Sequence, residues 1–246
     1  MENKVLYAKN NVGLGNVLFT LINTIKAADK EKCEWFSKAN LTRLLFDIRK
    51  NVSSNSNFIK YSISYHDEFK YLDSSSDFLE EYDKSVKQLI IKKYILEEVD
   101  LFSKKFNDKT VSIHIRSWFS SVNKKSNNKK AKRRAQNSFN LQTQIDEMNK
   151  YPDSNFFVAV DDFKLKDKLR DIFGERIITY PRNNTYHFHV NDFIEMLLLG
   201  RTKRFIGFHE STFTKCAFLF RKDCQEVTTI LKDKIMHKSV KNNKLC

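Results

Sequence analysis

Residues that interrupt regular structure are scarce in this 246-residue chain, which has five glycines and two prolines. Such a composition excludes a fibrous repeat and argues against a loop-rich protein. Long apolar runs are also missing, because no stretch reaches the roughly 18 residues of a membrane-spanning helix. Residues 1–8 lack the apolar segment of a signal peptide. These absences predict a globular protein that does not insert into a membrane.

Cysteine is used sparingly and without pattern. The four cysteines, Cys33, Cys216, Cys224 and Cys246, are widely separated and form no Cys-x-x-Cys pair. A structural zinc site and a disulfide framework both need closer or more regular spacing, so the sequence predicts neither. We therefore expect no bound metal and a reducing compartment, which indicates a cytoplasmic location.

Positive charge is in excess. The chain has 44 lysines and arginines and 30 aspartates and glutamates, which gives a formal net charge of +14. This favours an anionic partner, namely a nucleic acid, a membrane surface or a phosphorylated small molecule, although a general lysine bias would produce it equally well. The basic stretch 124–134 contains no aromatic residues, which a nucleic-acid stacking platform would need. We interpret it as an exposed loop and keep nucleic-acid binding as an alternative function.

Alternating strand and helix patterns predict the fold class. Hydrophobic residues make up 41% of the chain, enough for a core. In the second half, apolar runs at 111–115, 156–160, 177–180 and 204–207 alternate with helical patterns, which indicates a doubly wound α/β domain. The first half predicts strands at 5–8 and 59–65, helices at 17–29 and 41–50, and a long helical region over 77–104. We expect two domains, 1–105 and 106–246, the second with a lysine-rich end, 232–246, that frays from a helix into a tail.

Four groups of residues follow predicted strands, where ligands bind in open α/β sheets. The first is the turn Gly13-Leu14-Gly15-Asn16, between a strand and a helix. Gly13 and Gly15 would let backbone N–H groups approach an anion at the helix N-terminus, or they would form an ordinary tight turn. A dinucleotide site needs a further glycine where Leu18 stands, so the sequence does not favour one.

The second and third groups follow two central strands. His114 and Arg116 share one face of their strand because side chains alternate, and an arginine at a strand end binds a diphosphate with a permanent charge. A lone strand histidine is more often a core residue, but its pairing with Arg116 favours a site. Asp161 and Asp162 follow the next strand. Carboxylates there accept hydrogen bonds from a base or ribose, cap the following helix, or form a metal-binding pair.

The fourth group is Ser211, Thr212 and Phe213, which opens a helix soon after the predicted strand ends at Gly207. Exposed N–H groups, the helix dipole and two hydroxyl groups together form a phosphate site. An ordinary helix cap would use the same residues. Four such groups at successive strand ends favour the binding of one anionic ligand beyond the carboxyl ends of these strands.

In order along the chain, Gly-Leu-Gly-Asn, Val-Ser-Ile-His-Ile-Arg, Phe-Phe-Val-Ala-Val-Asp-Asp and Gly-x-x-x-Ser-Thr-Phe resemble the motifs of the fucosyltransferase-like superfamily. That group includes α1,2-, α1,6- and protein O-fucosyltransferases and the nodulation fucosyltransferases. The likeness is strongest over residues 111–220. It implies a GT-B-like fold, with two Rossmann-type domains facing across a cleft. It also implies an inverting glycosyl transfer from a nucleotide sugar, usually GDP-fucose, without a metal or a cofactor.

The resemblance further implies roles for the residues at the strand ends. Arg116 would neutralise the β-phosphate of the leaving nucleotide, the main electrostatic task in the transition state. His114 and either Asp161 or Asp162 would contact the ribose or the guanine. The donor nucleotide would therefore bind beyond the two central strands.

The other side of the cleft would complete the site. Ser211, Thr212 and Phe213 would hold the diphosphate, and Asn16 with its glycine turn would close over the sugar from the first domain. Independently of the resemblance, the charge of the basic stretch 124–134 suits an acidic acceptor, such as a phosphorylated or uronic-acid-bearing glycan, as an alternative to nucleic acid.

The chain departs from many of these relatives directly after the arginine. They continue His-x-Arg-Arg-x-Asp, whereas Ser117 and Phe119 stand at the later positions here. The general base is therefore unassigned, and Glu210 and Asp192 are the candidates. The departure leaves two alternatives open: a nucleotide-binding module without activity, and a transferase that uses a different nucleotide sugar.

Overall fold

The computed structural model describes residues 4–8, 13–37, 40–47, 57–61, 78–117, 139–222, 224, 226–241 and 244–245. The basic stretch 124–134, Phe119 and the part of the predicted strand beyond residue 61 lie outside these ranges. Within the described part of the chain, none of the helices combines the length and the apolar character that a membrane crossing requires.

The first half of the chain forms a small parallel sheet with helices. Its strands pair in the order β2-β1-β3. The predicted first strand and first helix are confirmed, and the helix is longer than expected. The elements are β1 (Lys4–Ala8), α1 (Leu14–Glu31), β2 (Glu34–Ser37), α2 (Asn40–Leu45), β3 (Asn57–Tyr61), α3 (Phe78–Lys87) and α4 (Lys93–Ser103).

The second half alternates strands and helices, as its sequence pattern predicts. Residues 156–160 form a strand with the predicted bounds, and Gly174 ends the helix after it with a positive φ of 58°. The elements are β4 (Val111–Ile115), α5 (Leu141–Asn149), β5 (Phe156–Val160), α6 (Phe163–Phe173), β6 (Ile177–Ile178), α7 (Phe188–Leu199), β7 (Arg204–Phe208), α8 (Thr212–Leu219), β8 (Glu226–Leu231), β9 (Lys234–Lys241) and β10 (Lys244–Leu245).

The larger sheet has the strand order β10-β9-β8-β7-β4-β5-β6. The strands from β8 to β6 are parallel, and β9 and β10 are antiparallel additions at one edge. From β4 the chain moves first to β5 and β6 on one side, and then returns to β7 and β8 on the other. The order therefore reverses between β4 and β7, and such a reversal leaves a crevice beyond the carboxyl ends of the two strands.

Two hydrophobic clusters cover opposite faces of the larger sheet. Alternation along β5 sends Val158 into one cluster and Phe157 into the other. Helices α5 and α6 pack in the first cluster. In the second, Leu18 of α1 packs in the same cluster as Phe193 of α7 and Phe218 of α8. One continuous core therefore includes residues from both predicted domains.

The helical region predicted over 77–104 consists of two helices, because the chain leaves helical geometry between α3 and α4. Ile91 forms an isolated antiparallel bridge with Phe46. The N–H of Lys92 donates to the carbonyl oxygen of Leu45 at 3.0 Å. Pairing with a segment distant in sequence takes the backbone groups that a continuous helix would use, so tertiary contacts override the local helical pattern.

The lysine-rich end is also not the predicted helix and tail. Residues 234–241 form β9, which pairs antiparallel with β8. Strand β8 itself was not predicted from the sequence. The two strands are joined by a tight turn in which Lys232 has φ 53°. The run Val227-Thr228-Thr229-Ile230 of β8 is β-branched throughout, which favours a strand. Strand β9 pairs with β8 and so covers the edge that β8 would otherwise expose.

Candidate functional site

The carboxyl end of β4 lies directly against the first turn of α8. The side chain of His114 is 6% exposed. Its Nδ1 lies 2.7 Å from Oγ1 of Thr214, and its ring stacks on that of Phe213 with centroids 4.8 Å apart. The structure therefore brings together two groups predicted separately from the sequence, the His-x-Arg strand and the Ser-Thr-Phe turn, at the crevice between β4 and β7.

The environment of His114 decides its charge. Burial, together with the nearby charge of Arg116, lowers the pKa of His114 from 6.5 to about 3. The imidazole is therefore neutral at physiological pH. It offers hydrogen bonds to a ligand, while the positive charge at this strand end comes from the arginine.

This neutral histidine predicts a stability that depends on pH. Unfolded His114 binds a proton below about pH 6.5, whereas folded His114 stays neutral down to about pH 3. The free energy of unfolding should therefore fall as the pH drops through this window, by up to about 1.4 kcal/mol per pH unit from this group. Urea unfolding of the native protein and His114→Gln between pH 7 and pH 4 checks this. The variant should lose less stability on acidification, and identical slopes would contradict the expectation.

Arg116 is held by the residue that follows β5. Its Nη1 donates to Oδ2 of Asp161 at 2.6 Å. The other carboxylate oxygen, Oδ1, accepts from the backbone N–H and the hydroxyl of Ser117 at 2.9 and 2.7 Å. Ser117, where the chain departs from the His-x-Arg-Arg-x-Asp pattern, thus helps Asp161 to orient the guanidinium group. The side chains of Arg116 and Asp161 are 29% and 16% exposed, so the pair remains open to a ligand.

Two of the predicted ligand-binding residues act as helix caps. Asp162 accepts a hydrogen bond from the backbone N–H of Lys164 at the start of α6. Ser211 accepts from the N–H groups of Phe213 and Thr214 in the first turn of α8. These are the capping roles considered as alternatives for both residues. An anion at the start of α8 would compete with the Ser211 hydroxyl for the same N–H groups.

The glycine turn meets the Ser-Thr-Phe turn. The hydroxyl of Thr212 donates to Oδ1 of Asn16 at 2.7 Å. A Cβ atom on Gly15 would lie 2.6 Å from the backbone nitrogen of Phe213 and 2.8 Å from the carbonyl carbon of Thr212. Gly15 is therefore needed for close approach of α1 to α8. A Cβ atom on Gly13 would meet nothing within 4 Å, so the two glycines are not equivalent.

The two candidates for the general base lie in different environments. Asp192 accepts a hydrogen bond from Arg182 and lies 3.4 Å from Nδ1 of His189, so its carboxylate is already engaged in a charged cluster. Glu210 is exposed, between the end of β7 and the cap of α8. Among the described residues, no hydrogen bond or ion pair links either carboxylate to His114.

The contact between the hydroxyl of Thr214 and His114 was not predicted from the sequence. The available signal was the position of Thr214 one residue beyond the Ser-Thr-Phe motif, in the same first turn of α8. The buried ion pair between Lys166 and Glu195, 3.5 Å apart, was not predicted either. Burial raises the pKa of Glu195 despite this pairing. No sequence pattern signals that pair, because its partners are on α6 and α7.

A cavity of about 1180 Å³ lies at the opposite end of the larger sheet, before β4, β7 and β8. Several of its charged side chains form ion pairs, for example Arg201 with Asp100 and Lys203 with Asp108, both at 2.8 Å. Because open α/β sheets bind ligands beyond the carboxyl ends of their strands, we place the candidate site at the His114 end and not in this cavity.

Solved structures share this fold across nearly the whole chain. NodZ α-1,6-fucosyltransferase soaked with GDP-fucose superposes with a TM-score of 0.65 at 13% identity, covering 97% of this chain and 99% of its own. NodZ from Bradyrhizobium in a selenomethionine crystal form gives 0.64 at 12% identity, with the same coverage. A mutant of Arabidopsis thaliana FUT1 in complex with GDP gives 0.64 at 9% identity, covering 97% of this chain and 74% of its own.

Sequence comparison adds nothing to this likeness, because no protein-family model matches the chain and no curated protein matches it. The identities of 9–13% are low, so the likeness concerns the fold. It covers the chain from end to end rather than one motif. The chain therefore has the fold of these fucosyltransferases, which confirms, at the level of the fold, the resemblance drawn from its four motifs.

Proposed function

We propose that the chain is an inverting glycosyltransferase that moves fucose from GDP-fucose onto a glycan acceptor without a metal ion. The observation that carries the proposal is the contact between the end of β4 and the first turn of α8. There His114, Arg116 and Phe213 are brought together at the crevice where the strand order reverses. The fold is shared with NodZ α-1,6-fucosyltransferase soaked with GDP-fucose and with a FUT1 mutant in complex with GDP.

In the proposed reaction, a hydroxyl oxygen of the acceptor attacks the anomeric carbon of the sugar, and the bond to the β-phosphate oxygen breaks. GDP leaves with the electron pair. Arg116 would stabilise the charge that develops on the leaving diphosphate, because its guanidinium group stays charged at all relevant pH values. Asp161 and Ser117 would keep that group oriented before the ligand arrives. His114, which is neutral, would contribute a hydrogen bond.

A general base must take the proton of the acceptor hydroxyl. We favour Glu210 over Asp192, because Glu210 is exposed beside the α8 cap and Asp192 is paired with Arg182.

Asn16, bonded to Thr212, would close the sugar side of the site. We also propose that residues 1–105 and 106–246 act as two Rossmann-type domains with the acceptor between them, and that the acceptor is acidic or phosphorylated.

A thermal-shift screen against GDP, UDP, ADP and their sugars tests the donor assignment. We expect GDP and GDP-fucose to raise Tm, since a ligand at 100 times its Kd stabilises the folded state by about 2.7 kcal/mol. That corresponds to roughly 5–10 °C for a chain of this length. UDP and ADP should have little effect, and EDTA should change none of these shifts. Stabilisation by GDP only when Mn²⁺ is present would contradict the metal-free mechanism.

The alternative functions predict different outcomes in the same protein. A nucleic-acid-binding protein would bind oligonucleotides with a steep dependence on salt concentration and would ignore GDP. A module without activity would bind GDP but would not turn over GDP-fucose. A transferase of this fold with another donor would be stabilised by a different nucleotide from the screen.

A further inference from the structure

We infer that Thr214 is a positioning residue for the candidate donor site. Its hydroxyl holds His114 in the tautomer that carries the ring proton on Nε2. The imidazole then presents an N–H donor, and no positive charge, to an oxygen atom of the ligand beyond β4. The ligand part of this inference rests on the proposed function, whereas the tautomer is a property of the protein alone.

The hydroxyl oxygen of Thr214 has two lone pairs that accept hydrogen bonds. Thr214 is 1% exposed, so its Oγ1 bonds to protein groups and not to bulk water. The backbone N–H of Phe208 donates to Oγ1 at 3.1 Å. A backbone N–H is always a donor, so it occupies one of the two acceptor positions of the hydroxyl. His114 Nδ1, at 2.7 Å, is the second partner.

The hydroxyl of Thr214 also has one hydrogen to donate. Among the described residues, no other acceptor lies within hydrogen-bonding distance of Thr214 Oγ1. A buried hydroxyl hydrogen without an acceptor is costly, and buried polar groups are almost always paired. The pattern that satisfies every group has the hydroxyl of Thr214 donating to Nδ1 of His114. Nδ1 then has no proton, and a neutral imidazole carries its single proton on Nε2.

The packing around Thr214 supports a fixed position. A Cβ atom on Gly207 would lie 2.3 Å from the methyl carbon of Thr214, so a glycine at the end of β7 makes room for this side chain. The ring of Phe213 covers the imidazole of His114 from one side. Within the described residues, no hydrogen bond engages Nε2 of His114. That nitrogen is therefore available to the ligand, and its N–H suits a phosphate, hydroxyl or carbonyl oxygen.

The tautomer is measured directly by ¹⁵N NMR of protein labelled at its six histidines, without ligand, with His114→Gln identifying the signals of His114. We expect Nδ1 of His114 to have the shift of an unprotonated nitrogen and Nε2 that of a protonated one. Thr214→Ser keeps the hydroxyl and should preserve this pattern. Thr214→Val keeps the shape, removes the hydroxyl and should shift His114 toward the other tautomer. A proton on Nδ1 in the native protein would overturn the inference, even if the valine variant does not fold.

Binding of GDP by calorimetry separates this inference from the proposed function. We expect Thr214→Val to weaken GDP binding about tenfold, the scale of one hydrogen bond to a charged group, and Thr214→Ser to bind like the native protein. The predicted tautomer without any GDP binding would contradict the proposed function alone. Normal GDP affinity in Thr214→Val, together with a changed tautomer, would overturn the positioning role alone.

Discussion

Replacing Arg116 by alanine is expected to lower kcat by about 10²–10³-fold, the usual effect of removing one donor that stabilises a developing negative charge. The guanidinium group is the permanent positive charge at the end of β4, because His114 beside it is neutral. The substitution also leaves Asp161 without its 2.6 Å partner, so a carboxylate would face the diphosphate. Arg116→Lys should recover only part of the rate, since an ammonium group cannot reproduce the planar fork of the guanidinium group.

The matched control is Arg204→Ala, assayed for release of GDP from GDP-fucose beside the Arg116 variants. Arg204 also pairs with a carboxylate, that of Glu226 at 2.7 Å, but it begins β7 and so lies at the amino-terminal ends of the parallel strands, opposite the end where Arg116 lies. Arg134→Ala, in the basic stretch 124–134, is a second control. Both controls should keep most of the activity. Equal losses in all three variants would argue against a donor site at the end of β4.

Replacing Gly15 by alanine is expected to destabilise the fold by about 1–3 kcal/mol, the range for forcing atoms into a packed interior. The added Cβ atom would lie 2.6 Å from the backbone nitrogen of Phe213, which cannot move like a flexible side chain. Intrinsic helix propensity predicts the opposite sign, because alanine stabilises a helix relative to glycine. The close approach of α1 to α8 should outweigh propensity and lower Tm by roughly 2–10 °C.

Gly13→Ala is the matched control, because its Cβ atom would meet nothing within 4 Å and its φ of −52° suits any residue. Its Tm should stay close to that of the native protein. Gly15→Ala should also weaken GDP binding, since the added atom separates Thr212 from Asn16 at the sugar side of the site. Equal Tm values for the two variants would show that the contact between α1 and α8 is not tight.

Much of the second half of the fold was predictable from the sequence. The strands β4 and β5 and the helix closed by Gly174 follow patterns that extend over a few neighbouring residues. The break within the helical region predicted over 77–104 was missed, and the prediction of a helical C-terminal end was wrong, because pairing with distant segments decides both regions. Local periodicity cannot report a partner that lies elsewhere in the chain.

The sequence predicted which residues belong to the candidate site better than it predicted which contacts they make. The rule that ligands bind beyond strand ends selects His114, Arg116 and Ser211 from the sequence. The functional assignments of these residues stay predictions, and the structure adds that Ser211 caps α8. Thr214 escaped notice, and Ser117 was noted only as a departure from the family motif, because the importance of each lies in which atom it bonds.

By itself, the sequence determined the alternation of strands and helices in the second half and the chemical groups at the strand ends, because both depend on residues close together in the chain. Only the tertiary structure decided which of those groups meet. Asn16 bonds Thr212 across 196 positions, and His114 bonds Thr214 across 100. Contacts of this kind depend on how helices pack on a sheet, and the packing of remote surfaces is set by the whole core and not by any local pattern.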